Sequence, residues 1–363
     1  MNERTSSTRS KNFWQGKRVL ITGHTGFKGG WLALWLQKMG AVVTGYALAP
    51  AYTESLFELA GVADGMESII GDIRELGALK DVINRFRPEI VFHLAAQPLV
   101  RLSYIEPVET FHINVMGTVH LLEAVRGSQH CRAVVSITSD KCYENKEWVW
   151  GYREIDPVGG HDPYSASKGC AEIVNAAYRR SFFEAQDGRD IALSTARAGN
   201  VIGGGDFSKD RLVPDIMTAI TKGRPLNIRS PGAIRPWQHV LEPLSGYLLL
   251  AEKLWNHPRE FAQSWNFGPP PEDSRPVRWL VERLNDKWGE GVSWELDTAP
   301  AFHEANTLTL DSTKAHVQLG WKPRWTLDQA LSAIVDWYKA YQRREPLREI
   351  VLGQIAAYEA VTE

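Results

Sequence analysis

A chain of 363 residues, 44% hydrophobic and 23% charged, holds enough apolar material for a sizeable core and has the length of one large domain or two unequal ones. Its 41 basic and 43 acidic residues give a net charge of -2, which excludes a basic surplus able to neutralise the phosphates along a nucleic acid; an anionic ligand must meet local arginines instead. Three scattered cysteines, Cys131, Cys142 and Cys170, exclude a disulfide framework or a metal site, and with neither a secretory leader nor an apolar run of membrane-spanning length the expectation is a cytoplasmic protein without membrane, metal or nucleic-acid partners.

Residues 1–12 are polar and read as a disordered lead. The apolar run Val19–Ile21 then passes through Thr22 into Gly23, Gly26 and Gly29, and Trp31, Leu32, Leu34, Trp35 and Leu36 follow at positions that suit a buried helix face. This is strand, glycine turn, helix. Glycines tolerate positive φ and let backbone approach a ligand, so that amides at the helix N-terminus can face a pyrophosphate. The spacing is GxxGxxG, with His24 and Thr25 between the first two glycines and Phe27 and Lys28 before the third; Thr22, Gly23, Thr25, Gly26, Phe27, Lys28 and Gly29 form a candidate dinucleotide site.

A second strand over residues 41–47 ends in Leu48, Ala49 and Pro50. An acidic residue commonly stands there to hold the adenosine ribose of NAD, and an Arg or Lys would welcome the 2′-phosphate of NADP. Neither is present, and the reading leans to NAD. A third strand, 67–71, ends in Asp72 and Ile73, where the carboxylate can accept from the adenine amino group while Ile73 packs on its face. Helix 76–86 and strand 89–94 follow, then the turn Leu94, Ala95, Ala96, Gln97, whose small residues let a cofactor lie against backbone. The βαβαβαβ order predicts a doubly wound parallel sheet with its ligand at the carboxyl edge.

A long helix is predicted over 107–125 as scaffold, and strand 133–138 delivers Ser139, Asp140 and Lys141 to the same edge. Asp162 and Pro163 then read as N-cap and first residue of a helix that carries Tyr164 and Lys168 at i and i+4 on one face. Of eleven tyrosines only Tyr164 has a lysine four residues on. A lysine cation beside a phenol stabilises the phenolate and draws its pKa down toward the working range, so Tyr164 is a candidate base. Strand 191–198 carries Arg197 and leads to Asn200 and the loop Gly203–Asp206, after which composition changes and a second domain is expected. The chain returns to the first domain with a helix over 244–253 and a strand over 264–267, on which Asn266 is a possible ligand contact. Beyond residue 277 helix, strand and helix alternate, ending in an amphipathic stretch over 327–341. Nine of the fourteen tryptophans follow residue 236 and are expected to pack the smaller domain.

TGHTGFKG, HLAAQ, TSDK, YSASK, RAGNVIGGGD, RPWQHV and HEANTLTLDSTKAHVQLGWKP together resemble the extended short-chain dehydrogenase/reductase family over residues 13 to about 340, and within it the CDP-glucose 4,6-dehydratase branch. The resemblance implies an α/β fold, a doubly wound parallel Rossmann sheet over residues 1–200 with a return segment near 239–270, and a smaller C-terminal α+β substrate domain over 201–363. It implies a lyase: Tyr164 takes the proton of the glucose 4-hydroxyl while bound NAD accepts hydride from C4, water is lost across C5 and C6, and the hydride returns to C6. Asp140 would be the acid for the departing 6-hydroxyl and Ser139 a donor to the 4-oxygen. Related dTDP-glucose dehydratases carry Thr-Asp-Glu where this chain has Ser139-Asp140-Lys141, so Lys141 is either the base at C5 or a cation that stabilises the developing enolate. Arg211, Leu212 and Arg235 match positions that hold the base and pyrophosphate of the nucleotide sugar, and Gln97, Asn200, Asn266 and His303 fall on the substrate side. A homodimer, or a dimer of dimers, through the helices at 107–125 and 163–183 is implied, as is a place in deoxysugar supply for lipopolysaccharide O-antigen. The competing readings are a nucleotide-sugar 4-epimerase, a dehydratase for another nucleotide sugar, and a non-catalytic NAD-sensing regulator.

Overall fold

The computed structural model describes residues 12–184, 191–289, 293–297 and 307–361. Seven strands form one sheet: β1 (Arg18–Thr22), β2 (Val42–Ala47), β3 (Glu67–Ile70), β4 (Ile90–His93), β5 (Ala133–Ile137), β6 (Ala192–Ala198) and β7 (Ser264–Phe267). Their order across the sheet is β7-β6-β5-β4-β1-β2-β3 and every pairing is parallel. Both faces are covered, which is why the strands read as continuous apolar runs. Side chains alternate between two cores: Val19 and Ile21 enter one, Leu20 the other; Phe92 enters the first, Val91 the second.

One face is covered by α1 (Phe27–Lys38), whose residues from Gly29 to Leu36 are all buried; the other by α2 (Leu76–Phe86) and α3 (Gly117–Arg126), through Leu79, Val82, Ile83, Leu121, Leu122 and Val125. The order in which strands are added switches from one side of β1 to the other between β1 and β4, and the carboxyl ends of these parallel strands open a crevice there. The helix predicted over 107–125 is present as Pro107–Phe111 and Gly117–Arg126, joined by a π turn at His112–Met116. Helix α4 (Pro163–Tyr178) runs on through a second π turn at Arg179–Phe183.

After β6 the chain builds a smaller lobe from α5 (Leu212–Lys222), the short strand Leu226–Ile228 paired with Trp294–Leu296, and Ile234–Pro236 paired with Ser274–Pro276. The return to the large sheet occurs as expected, through α6 (Leu241–Asn256) and β7. Helix α7 (Val277–Trp288) belongs to the smaller lobe, and α8 (Leu327–Gln342) opens on a capping box between Thr326 and Gln329.

The sequence reading stops short of a last helix, α9 (Leu347–Ala360), which goes back to the first. Trp35 and Lys38 of α1 both donate to the Glu359 carboxylate, and Arg348 donates to the Gly61 carbonyl at 2.6 Å. The tail of the expected 201–363 domain therefore packs on the Rossmann layer. Three of the late tryptophans follow the same course: Trp265 stands in the sheet on β7, Trp321 donates to Ser245 of α6 at 2.9 Å, and Trp337 lies against Gly204. These three tie the C-terminal segments to the large domain, whereas Trp279, Trp288 and Trp294 belong to the smaller lobe.

Candidate active site

The glycine turn is fixed by close backbone approach. Gly23 has φ +81°, and a Cβ there would stand 2.8 Å from the Ala95 amide nitrogen, so β1 ends against the turn that follows β4. At Gly29 a Cβ would lie 2.1 Å from the Gly23 carbonyl oxygen. Gly26 is the N-cap of α1 with extended backbone; no side chain caps the helix and its first turn carries no acid, so its amides are left to an anion. Thr22 bonds His93 Nδ1 at 2.7 Å and accepts from the Ala95 amide, and Thr25 donates to the Leu48 carbonyl at 2.9 Å, joining the turn to its two neighbouring strand ends. His24, which is not among the candidate dinucleotide residues, is a plug. Its ring occupies the space over Gly45, Nε2 bonds Ser68 at 2.7 Å, and burial lowers its pKa to about 4, leaving it neutral.

Two cofactor-side expectations meet competition. The Asp72 carboxylate accepts from the Arg74 amide at 2.9 Å and from its guanidinium, which lowers the carboxyl pKa; the oxygens assigned to an adenine amino group are already engaged. Ile73 is a core residue, 6% exposed, pressed on Gly117. Leu94, Ala95 and Ala96 do form the turn at the crevice, with Leu94 donating to the Thr22 carbonyl.

Asp162 caps α4, accepting from the Ser165 amide at 2.9 Å and its hydroxyl at 2.6 Å. Tyr164 and Lys168 then face inward, both nearly buried, with Lys168 Nζ 3.4 Å from the Ile137 carbonyl at the end of β5. Ser139 caps the short turn Asp140–Cys142, accepts from the Lys141 amide, donates to Asp140 Oδ1 at 2.9 Å and is hydrogen-bonded to Tyr164. Burial pushes the Tyr164 phenol up to about 12, against the pull of Ser139 and Arg211. The fall expected from the Tyr-Lys pair is not found: desolvation of the phenolate is the largest influence, and Asp140 adds to it. Lys168 is itself pulled down to about 8, by burial and then by Lys28. Burial raises the Asp140 carboxyl pKa although Lys141, Ser139 and Arg235 oppose it, so the group holds its proton to higher pH than a free aspartate.

A cleft of about 940 Å³ separates the two lobes. Phe27, Lys28, Ser139, Asp140, Lys141 and Tyr164 line it from the Rossmann side; Asn200, Arg211, Leu212 and Arg235 line it beyond β6. Arg211 is held by Asp206 at 2.9 Å, and Arg235 donates to the Ile234 carbonyl. Three more arginines reach the same cleft, Arg101 from one segment and Arg224 and Arg229 from either side of the strand Leu226–Ile228, and Arg101 pairs with Asp210 at 2.9 Å. No local motif marks them. Gln97 and Asn266 do not line the cleft. The Gln97 amide donates to Leu99 and Thr110, and Asn266, fully buried, accepts from Tyr143 at 2.8 Å and donates to the carbonyls of Tyr152 and Asp311. His303 lies outside the described residues. Asn114, read only as scaffold, sits in the first π turn and donates to the Gln97 carbonyl and to Ser167 of α4, fixing the β4 turn against the helix of Tyr164. Among the described residues no group of three or more His, Cys, Asp or Glu is placed to hold a metal.

The family model for GDP-mannose 4,6-dehydratase matches residues 20–263. The chain belongs to this family. Among curated relatives of these 4,6-dehydratases, it is 55% identical to a CDP-glucose 4,6-dehydratase of Salmonella typhimurium, over 97% of this chain and 99% of that one. Of solved structures, it resembles a dTDP-glucose 4,6-dehydratase of Bacillus anthracis in complex with NAD, at TM-score 0.75 and 20% identity over 92% of this chain and 100% of that one. The epimerase Mth375 of Methanothermobacter thermautotrophicus matches at TM-score 0.80 and 20% identity, over 94% of this chain and 98% of that one. A dehydratase and an epimerase thus share this fold, and the chemistry must be argued from the residues in the cleft.

Proposed function

We propose that this family member is an NAD-dependent lyase that converts CDP-glucose to CDP-4-keto-6-deoxyglucose and water. The observation that carries the reading is the placement of Asp140 and Lys141 beside Tyr164 in one cleft. A 4-epimerase needs one proton acceptor at the 4-hydroxyl; elimination also needs an acid at the 6-hydroxyl, and Asp140, whose carboxyl pKa burial raises, is placed to supply one. The relative at 55% identity, named a CDP-glucose 4,6-dehydratase, favours the cytidine nucleotide.

The glycine turn fits a dinucleotide, because Gly23 and Gly29 hold a cradle that any side chain would fill and the α1 amides end at it. When bound, NAD takes hydride from C4, returns it to C6 after water has left, and carries positive charge in its oxidised form. Tyr164 takes the proton of the 4-hydroxyl; Ser139 and Arg211, the two groups that draw its pKa down, favour the phenolate. Asp140 passes its proton to the leaving 6-oxygen, and Lys141 either removes the C5 proton or stabilises the enolate that forms. The C5 proton and the hydride are restored to the sugar, so the balance is loss of one water. The cleft arginines meet the diphosphate, with a forked guanidinium suited to its oxygens.

Val108, Met116, Ile173 and Phe182 are exposed on the helices at 107–126 and 163–183, which supports a homodimer or dimer of dimers through them. No described helix is long and apolar enough to cross a membrane, and a cytoplasmic site of action is part of the same proposal. The test is incubation with CDP-glucose and NAD, followed by the alkali-generated chromophore of 4-keto-6-deoxy sugars, with UDP-, dTDP- and GDP-glucose alongside. The chromophore with CDP-glucose is expected. Interchange of C4 epimers without it would mean an epimerase, and silence with every nucleotide sugar despite NAD binding would leave a regulator.

A further inference from the structure

Behind the cleft lies a buried ion pair that touches neither of the ligands assigned above. Glu172 of α4 and Arg197 of β6 meet at 2.7 Å with side chains only 4% and 3% exposed. Glu172 stands one helical turn beyond Lys168. Its carboxylate also accepts from Thr138 at 2.5 Å and Thr195 at 2.8 Å, so each oxygen has several donors, and these partners hold its pKa down in spite of burial. Arg197 donates Nε and Nη2 to Glu172 and turns Nη1 to the Tyr143 hydroxyl at 2.6 Å; Tyr143 in turn donates to Asn266.

The two ends of this pair fall on the two ends of one short segment. Thr138 immediately precedes Ser139, Asp140 and Lys141, and Tyr143 closes the turn that contains them. A single pair thus holds residue 138 through its anion and residue 143 through its cation. Desolvating a pair so well shielded offsets most of its attraction and leaves little net stability over apolar packing, so its placement calls for a reason other than stability. We infer that Glu172 and Arg197 are positioning residues that bracket the Ser139–Lys141 turn and hold the acid and the lysine in register for the elimination stage. This rests on the dehydratase reading, and it assigns Asn266 and Tyr143 to the support of the turn rather than to the substrate.

Loosening the bracket should slow the second stage, which uses Asp140 and Lys141, far more than the first, to which the turn gives only Ser139 beside a Tyr164 held on its own helix. The mild variants are Thr138→Val and Tyr143→Phe, which each remove one hydroxyl from one end; Glu172→Gln removes the anion. With NAD-loaded protein and CDP-glucose, the near-ultraviolet absorbance of reduced nicotinamide should form at close to the wild-type rate and then persist, its decay slowed roughly ten- to a hundred-fold. Hydrogen exchange at the amides of residues 141–143 should rise in the same variants without substrate. Equal slowing of both stages, or a lowered melting temperature with unchanged decay and unchanged exchange, would mean a structural pair only and overturn the bracket. A wild-type protein that forms no reduced nicotinamide with CDP-glucose overturns the dehydratase reading instead, and wild-type exchange in the variants overturns the bracket whatever the enzyme does.

Discussion

Gly29→Ala and Gly26→Ala, three residues apart, should fail in different ways. At Gly29 the new methyl carbon would stand 2.1 Å from the Gly23 carbonyl oxygen and 2.8 Å from its carbon, and both belong to backbone pinned by the end of β1. Reaching ordinary contact needs a displacement of about 1 Å, and overpacking of that order costs roughly 1–3 kcal/mol. Because Gly23 is itself seated on Leu94 and Ala95, the strain passes to the β4 turn. Gly26 differs: its φ is -81°, and a Cβ would meet only the Gly23 oxygen at 3.4 Å, so alanine is accommodated but stands at the uncapped end of α1. Thermal unfolding by circular dichroism and NAD titration of tryptophan fluorescence separate the two. Gly29→Ala should lower the melting temperature by a few degrees and weaken NAD; Gly26→Ala should keep the melting temperature and lose tenfold or more in affinity, about 1.4 kcal/mol. Wild-type NAD affinity in both variants would refute the placement of the pyrophosphate at this helix.

Tyr164→Phe, which removes one hydroxyl from a buried ring, should cut turnover by roughly 10²- to 10⁴-fold with NAD affinity retained, measured by the keto-sugar chromophore and fluorescence titration. Asp140→Asn should abolish product formation yet raise the melting temperature at neutral pH. The folded-state pKa of Asp140 lies above its unfolded value, so the native state binds the extra proton and loses stability as pH rises through that folded pKa, a loss the amide does not suffer. Burial raises the pKa of Glu242 from 4.5 to about 7, against the pull of the Tyr358 hydroxyl at 2.6 Å and of the amides of Arg324 and Trp325. Its contribution is fully present below pH 4.5 and lost as pH rises through about 7, so Glu242→Gln should narrow the fall in melting temperature between pH 5 and 8; an unchanged pH profile would refute the assignment.

Periodicity and turn chemistry made the large domain legible. Helix 76–86 and strand 264–267 lie where the pattern placed them, and Tyr164 with Lys168 could be found because one helix carries both. Some candidate residues have side-chain partners, near or far in sequence, that the local pattern does not show. Asn266 on its strand looks available, but its partners Tyr143 and Asp311 come from segments that nothing local connects to it. Asp72 is claimed by Arg74 only because the chain folds back through a tight turn. The phenol pKa of Tyr164 went the other way because a pairwise argument sees the lysine and not the desolvation. Arg101, Arg224 and Arg229 of the cleft wall escaped the motifs for the same reason as the bracket: only the fold gathers them with Arg211 and Arg235.

The docking of α9 on α1 bears on how the chain is made. The first helix to leave the ribosome is the last to be covered, since Trp35 and Lys38 await Glu359, and Gln37 awaits Arg348. Throughout synthesis the face of α1 that carries Trp35 stays open to solvent or to a chaperone. Native closure of the nucleotide half must await synthesis of α9, with loop closure spanning the 324 residues between Trp35 and Glu359. Clipping a dozen residues from the carboxyl end would therefore injure the amino-terminal unit first.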